Sequence, residues 1–269
     1  MYLELLISAV NAEPDKLIET MKIECPAVLV NQCGRVSITV LERESGAVRV
    51  FDSDERGVGK SRNKALSEAR GDILLFADED IVYDPGFAER VIDEFAAHPE
   101  ADGLFFNVRV CEERRTYWNE DYSRVHIWNG GRYPAYSIAL RKSAVDRAAG
   151  KGKPLRFSEL FGGGAKYSCG EDSLFIRDCL GAGLKLYRTP TEIGEEIPRP
   201  STWFKGYDEK YFFDRGVLYH FLYGILAYPM GVRYILAKRS VMCKEIPWKQ
   251  AIGIIRKGIA EGKKIENQK

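Results

Sequence analysis

Two acidic clusters carry the residue types most able to do chemistry. Asp78-Glu79-Asp80 follows directly on the apolar run 72–77, and Glu171-Asp172 closes the glycine-rich segment FGGGAKYSCGED. Three adjacent carboxylates repel one another and are costly to desolvate unless a cation joins them. Oxygen donors suit hard divalent cations, and Mg2+ takes one or two carboxylates together with phosphate oxygens and water. The triplet is therefore a candidate site for Mn2+ or Mg2+ on a diphosphate, with Asp80 and Asp78 as ligands. A solvated acidic turn capping the next helix is the bland alternative; the position at the end of a buried strand favours the site. Asp172 suits a different task, accepting a proton from an attacking hydroxyl, for which it must be ionised and within hydrogen-bond reach. A helix start would help hold it ionised, although helix capping alone also explains a Glu-Asp pair there. The glycines at 162–164 let backbone approach a sugar closely.

A third stretch, Glu55-Arg56-Gly57-Val58-Gly59-Lys60-Ser61-Arg62-Asn63, is rich in glycine and base and opens a helix. Helix N-termini with nearby bases suit phosphate. The spacing is not that of a P-loop, and by itself the stretch reads as a turn and a helix start.

The elements that must position these residues alternate. Continuous apolar runs of strand length lie at 3–9, 27–30 and 72–77, and further strands are expected at 36–41, 48–51, 103–110, 135–141 and 184–188. Helical spacing occupies 14–24, 59–69, 85–97, 143–149 and 171–181. This order predicts an α/β fold, a Rossmann-like open sheet with helices on both faces, in which ligands sit beyond the carboxyl ends of the strands. Beyond a soft boundary at 198–200 the chain turns helical, aromatic and basic. Two units are therefore expected, an α/β domain over 1–199 and a C-terminal helical extension over 200–269.

Composition limits the partners. The 269 residues carry a net charge of +1, so nothing global points to nucleic acid. Charge is uneven, however: residues 201–269 hold 13 Lys and Arg against 6 Asp and Glu, while 1–200 hold 27 against 33. A basic tail on an acidic body suits an anionic surface or simply a solvated helix. Six cysteines without CxxC spacing argue against zinc. No basic region precedes the first apolar run, so a cytoplasmic location is expected. The apolar segment 217–237 is interrupted by His220, Pro229 and Arg233 and falls short of a clean membrane span.

Taken in order, RGVGKSRNKALSEARGDILLFADEDIVYDPGF and FGGGAKYSCGEDSLFIRDCLGAGLKLYRTP resemble family 2 glycosyltransferases over about residues 3–190. Gly57, Arg62 and Asn63 match that family's Gly-x-x-x-x-Arg-Asn helix. Asp78, Glu79 and Asp80 match its Asp-x-Asp type triplet, and Glu171 and Asp172 its acceptor-side pair. The resemblance implies a GT-A fold and an inverting transfer from a nucleotide-diphosphate sugar, UDP-linked by preference, to an acceptor hydroxyl in polysaccharide or glycolipid assembly. Asp172 would be the base and Asp80 the main metal ligand. The donor would meet Ala9, Asn11, Asn31, Gln32, Arg56, Lys60, Arg62, Asn63, Asp78 and Glu79. The acceptor would meet Gly163, Gly164, Glu171, Trp118 and Trp128.

Two departures are visible. Asn31-Gln32 stands where the family usually has an Asp that reads the nucleobase. No His follows near 193–202 to complete a metal site, leaving Glu195, Glu196, Ser201 or water for that place. His98, His126 and His220 read as surface or core residues. Tyr117, Trp118, Tyr122, Trp128 and Tyr133 could stack on a saccharide, although each alone is more economically core or lid packing. Tyr211, Phe212, Phe213, Tyr219, Phe221 and Tyr223, with Lys238, Arg239, Lys244 and Lys249, suit a membrane surface and a lipid-linked acceptor, so a peripheral membrane location is also carried forward. Two alternatives stand beside this reading. A nucleotidyltransferase is disfavoured because Ala9-Val10-Asn11-Ala12 lacks the expected glycine loop. A non-catalytic nucleotide-sugar-binding protein of the same fold fits the departures but not the retained Asp80 and Asp172.

Overall fold

The computed structural model describes residues 1–112, 114–198, 204 and 206–268. In chain order these form β1 (Leu3–Val10), α1 (Pro14–Met21), β2 (Ala27–Gln32), β3 (Ser37–Leu41), β4 (Val48–Ser53), α2 (Val58–Glu68), β5 (Ile73–Asp78), β6 (Ile81–Tyr83), α3 (Phe87–Ala97), β7 (Gly103–Arg109), β8 (Ser123–Arg124), β9 (Ile138–Arg141), α4 (Lys142–Gly150), α5 (Glu171–Gly181), β10 (Leu186–Glu196), α6 (Glu209–Tyr223), α7 (Ala227–Met242) and α8 (Trp248–Glu266). Nine of the strands follow the order β3-β4-β2-β1-β5-β9-β7-β10-β6, with β8 added against β10. The β4-β2-β1-β5 block is parallel, and β9 enters antiparallel between β5 and β7. The mixed open sheet flanked by helices agrees with the sequence expectation.

The parallel block is apolar on both faces, as strands covered by helices must be. Along β1, Leu3, Leu5 and Ile7 join one core and Leu6 the other, which is the two-residue alternation of a strand. In β5, Leu74, Leu75 and Phe76 are buried, and each such side chain contributes roughly 1.5–3 kcal/mol of transfer free energy. The one acid in β1, Glu4, is also buried. It bonds Arg49 at 2.8 Å and accepts the Arg70 and Gly71 N–H groups, so its charge is compensated.

This register lines up chemistry along one edge. Ser8 pairs with Asp78, Ala9 with Asn31, and Asn31 with Asp52, so the carboxyl ends of β5, β1, β2 and β4 form a row. Residues 135–137, read from sequence as strand, form a 3-10 turn before β9. The last long strand runs on to Glu196, past the stretch expected to end at 188, and β6 pairs with its final residues.

The C-terminal helices share a core with the α/β body: Val217, Leu218 and Tyr219 pack with Phe161, Tyr167 and Leu174. Helices α6 and α8 meet backbone to backbone. A Cβ on Gly216 would lie 2.2 Å from the Ile255 carbonyl oxygen, and one on Gly258 would lie 2.1 Å from that of Phe213. Arg199 and Pro200, at the expected domain boundary, and Ser201 lie outside the described residues.

Candidate active site

Arg62 organises the site. It projects from α2, is buried, and bonds three carboxylates from two distant parts of the chain. One terminal nitrogen donates to Asp78 Oδ1 at 2.7 Å; the other donates to Asp172 Oδ1 at 2.8 Å and to Glu171 Oε1 at 3.1 Å. From the acidic cluster after β5 it is Asp78 that meets the pair opening α5 on this guanidinium, whereas the sequence reading paired Asp80 with Asp172. Arg62, expected from sequence to lie near the nucleotide, is a strut beneath the carboxylates, with both terminal nitrogens bonded to them and its buried Nε without a partner.

The local backbone explains how α2 and α5 meet. Asn63 forms a two-way bond with Phe157, giving its amide N–H to the Phe157 carbonyl and accepting the Phe157 N–H. Val58 N–H donates to the Gly163 carbonyl, and Gly57 N–H to Gln32 Oε1. At Gly59 a Cβ would stand 2.3 Å from the Ser158 carbonyl oxygen, so only glycine allows this approach. Gly162 has φ +103° and lies against Glu171, whose carboxyl carbon would be 2.7 Å from a Cβ there. The segment 157–164 thus straps α2 to α5.

Several residues expected at the donor also bond this scaffold. Gln32 holds the start of α2, and Asn63 holds the strap. Asn31, fully buried, bonds both backbone groups of Ala12 and the Asp52 carboxylate. The phosphate cradle expected at 55–63 is partly closed, because two N–H groups at its helix start already have protein acceptors. Lys60 turns aside to Glu55 at 2.6 Å. Asn11 adopts φ 51° and accepts from Arg56 at 3.2 Å, while Glu79 accepts the Val10 N–H at 3.0 Å. Ala9, Asn11, Arg56 and Glu79 therefore form the wall where β1 ends.

The charges are unevenly matched. Asp78, Glu171 and Asp172 share one guanidinium. Burial raises the Asp172 carboxyl most, Glu171 and Asp78 raise it further, and Arg62 and the Ala135 backbone oppose them; the balance pushes it up to about 8. The expected ionising influence of the helix start is outweighed. The reverse holds at Asp52. Burial would raise it, but hydrogen bonds from Ser37, Arg35, Cys33 and Asn31 hold it at about 2.

Asp80 and Glu196 meet where β6 and β10 pair: Ile197 N–H donates to the Asp80 carbonyl at 2.7 Å, and Glu196 stands opposite Ile81. Glu196 bonds Arg114 at 2.6 Å, whereas Glu195 lies 3.7 Å from Arg109. Tyr136, on the 3-10 turn, is raised above the usual phenol range chiefly by burial, and also by Tyr117, Glu196, Asp78 and Asp80. Among the described residues no group of three or more His, Cys, Asp or Glu side chains is arranged to hold a metal. Asp78 and Asp80 still supply hard oxygen donors, which fits a cation completed by phosphate oxygens and water.

On the expected acceptor side, Gly163 has open space at its Cβ position, and Gly164 packs on Gly57. Trp128 is 82% exposed in a loop that touches α5, where Ser173 Oγ donates to the Gly131 carbonyl. Trp118 is half-buried beneath the Arg115 guanidinium. Tyr117 and Tyr133 are core, and Tyr122 stacks between His98 and Tyr187, so none of these three is a saccharide platform. Sequence reasoning missed Asp52, Ala135 and Tyr136. The Asp-Ser-Asp run directly after an apolar strand was a signal for the first; the 3-10 turn left none.

A cavity of about 380 Å³ lies elsewhere, between Lys166-Tyr167 and helices α6 and α8. It is lined by Lys166, Lys210 and Lys257 with Glu209 and Asp214, and by none of the convergent carboxylates.

With this geometry in hand, the fold can be compared with known structures. Staphylococcus aureus TarS 1–349 in complex with UDP-GlcNAc has a TM-score of 0.63 at 14% identity, covering 96% of this chain and 82% of that one. Mannosyltransferase PcManGT from Pyrobaculum calidifontis, in complex with GDP-Man and Mn2+, has a TM-score of 0.53 at 11% identity, covering 97% and 86%. A comparison with curated proteins finds no match. The architecture is GT-A, the fold of nucleotide-sugar transferases. Residues 37–157 match Glycosyl transferase family 2. That match spans 121 of the 269 residues, less than half of the chain.

Proposed function

We propose that the protein moves a sugar, with inversion, from a UDP-linked donor to a hydroxyl of a saccharide or lipid-linked acceptor in polysaccharide or glycolipid assembly. The observation that carries this reading is the convergence of Asp78 and Asp172 on Arg62. Asp172 takes the proton from the acceptor hydroxyl. The freed oxygen attacks the anomeric carbon from the side opposite the diphosphate, and the carbon–oxygen bond to the diphosphate breaks. A carboxyl raised to about 8 is a stronger base than a free aspartate once it is ionised. Arg62 fixes the direction of Asp172 and moderates the charge of its neighbours. Asp80, with Asp78, would hold Mn2+ or Mg2+, which supplies Lewis-acid neutralisation of the leaving diphosphate. Ala9, Asn11, Arg56 and Glu79 border the donor side; Gly163, Glu171, Trp118 and Trp128 border the acceptor side.

We take residues 1–199 as the catalytic unit and 200–269 as an extension that docks on it and faces a membrane surface. The donor is tested by measuring melting temperature and nucleotide release over a set of nucleotide sugars with Mn2+. A matching donor raises the melting temperature in proportion to occupancy and is consumed when acceptor is added. Absence of both effects across UDP, GDP, CDP and dTDP sugars would overturn the reading. Proton NMR of the first-formed anomer tests inversion.

A further inference from the structure

The turn between α6 and α7 exposes an apolar knuckle. Ile225 is 97% exposed, Leu226 57% and Tyr228 47%. Along α7, Tyr228, Val232 and Leu236 follow at i, i+4 and i+8, which places them on one line of the helix. Arg239 continues that line one turn on, and the exposed Arg233 and Lys238 lie to either side. Contiguous exposed apolar surface with a polar rim marks an interaction site.

The charge of the segment indicates what covers it. From Arg215 to Lys244 there is no acidic residue, while Arg215, Arg233, Lys238, Arg239 and Lys244 are basic. The aromatic residues expected from sequence to meet a membrane are instead committed inward: Phe212 and Tyr219 are buried, and Tyr211 bonds Tyr234 at 2.7 Å. No described helix is long and apolar enough to cross a membrane. An exposed apolar tip beside bases suits a surface that is apolar beneath and anionic above, which is a bilayer interface with anionic headgroups.

We propose that the α6–α7 elbow docks on an anionic lipid bilayer, with Ile225, Leu226 and Tyr228 in the interface and Arg233, Lys238 and Arg239 at the headgroups. This deepens the membrane part of the reading above by assigning the residues and the lipid class. It stands apart from the transfer chemistry, because the elbow lies beyond the α6 residues Asp214 and Leu218, which bond Ser168 and pack on Gly170.

The test is flotation of the full chain with vesicles of phosphatidylcholine alone or with 30 mol% phosphatidylglycerol. Wild type should float with the anionic vesicles and at least tenfold less with the neutral ones. Ile225→Ser with Leu226→Ser should lower anionic-vesicle binding at least tenfold, as should Arg233→Gln with Lys238→Gln and Arg239→Gln. Both variants should keep the wild-type melting temperature and nucleotide release with a soluble acceptor. An Ile225→Trp variant should shift its fluorescence to the blue on anionic vesicles. Failure of wild type to float, or equal flotation of all variants, overturns the proposal and leaves the transferase reading untouched. A dimer lost in the serine variant, without vesicle binding, would assign the face to self-association and equally overturn it.

Discussion

At the scale of single residues, the site is an arginine compensating three acids, and its energetics set expectations for each. Removing a guanidinium from a buried ionic cluster leaves uncompensated charge, at about 3–5 kcal/mol. Arg62→Met should therefore lower stability by roughly 3 kcal/mol by that same estimate and impair turnover; denaturant melts showing wild-type stability would refute the strut. Asp172 makes a prediction with a definite sign. Its folded carboxyl is raised to about 8, whereas an unfolded aspartate titrates near ~3.9. Between those values the folded state holds a proton the unfolded state has lost, so this group's stabilisation declines as pH rises from about 4 to about 8. Asp172→Asn should flatten that decline in ligand-free melting curves. In the wild type kcat/KM should climb with pH toward the same value, because only the ionised carboxyl accepts a proton. An activity plateau already reached at pH 5 would contradict the assignment. Asp52, held at about 2, acts in the opposite direction: its stabilisation is present above pH 4 and is lost as pH falls through 2.

At the scale of elements, the strap 157–164 decides whether α2 and α5 face each other. Gly59→Ala should push α2 away from Ser158, where a Cβ would lie 2.3 Å from the carbonyl oxygen. Overpacking of this kind costs about 1–3 kcal/mol, and displacement of Arg62 should reduce turnover beyond what the melting curve explains. An alanine variant with full activity would show that the strap does not position the site. The same level shows what sequence can disclose. The runs at β1, β2 and β5 and the glycine-to-acid start of α5 were legible because buried parallel strands are continuously apolar and helix starts leave punctuation. Arg62, Asp78 and Asp172 were legible as members of motifs, but their mutual bonds were not, since 110 residues of chain separate Arg62 from Asp172. The strand reading of 135–137 failed because an apolar run before β9 carries no mark of a 3-10 turn. The protein bonds of Asn31 and Gln32 were not legible, because side-chain amides reveal nothing in sequence about which backbone groups they satisfy.

At the scale of the molecule, the C-terminal helices are integral to the α/β body. Leu218 presses on Gly170, whose φ of +118° and 2.4 Å clearance admit no side chain, and Asp214 accepts from Ser168 N–H and Oγ. The segment leading into Glu171-Asp172 is thus held by α6, which α8 supports through Gly216 and Gly258. Gly258→Leu should separate α6 from α8, lower the melting temperature and reduce transfer although no site residue changes. Retained activity with a lowered melting temperature would show instead that the extension stabilises without positioning.

The claim on which the account rests is that Asp172 acts as a base in a cleft it shares with Asp78 and Asp80. Its most direct measurement pairs donor binding with single-turnover transfer in wild type and Asp172→Asn, using whichever nucleotide sugar and Mn2+ stabilise the wild type. The account predicts donor affinity within a few-fold and a transfer rate lower by about 10²–10⁴, the range a positioned general base contributes. Transfer by Asp172→Asn at the wild-type rate would contradict it.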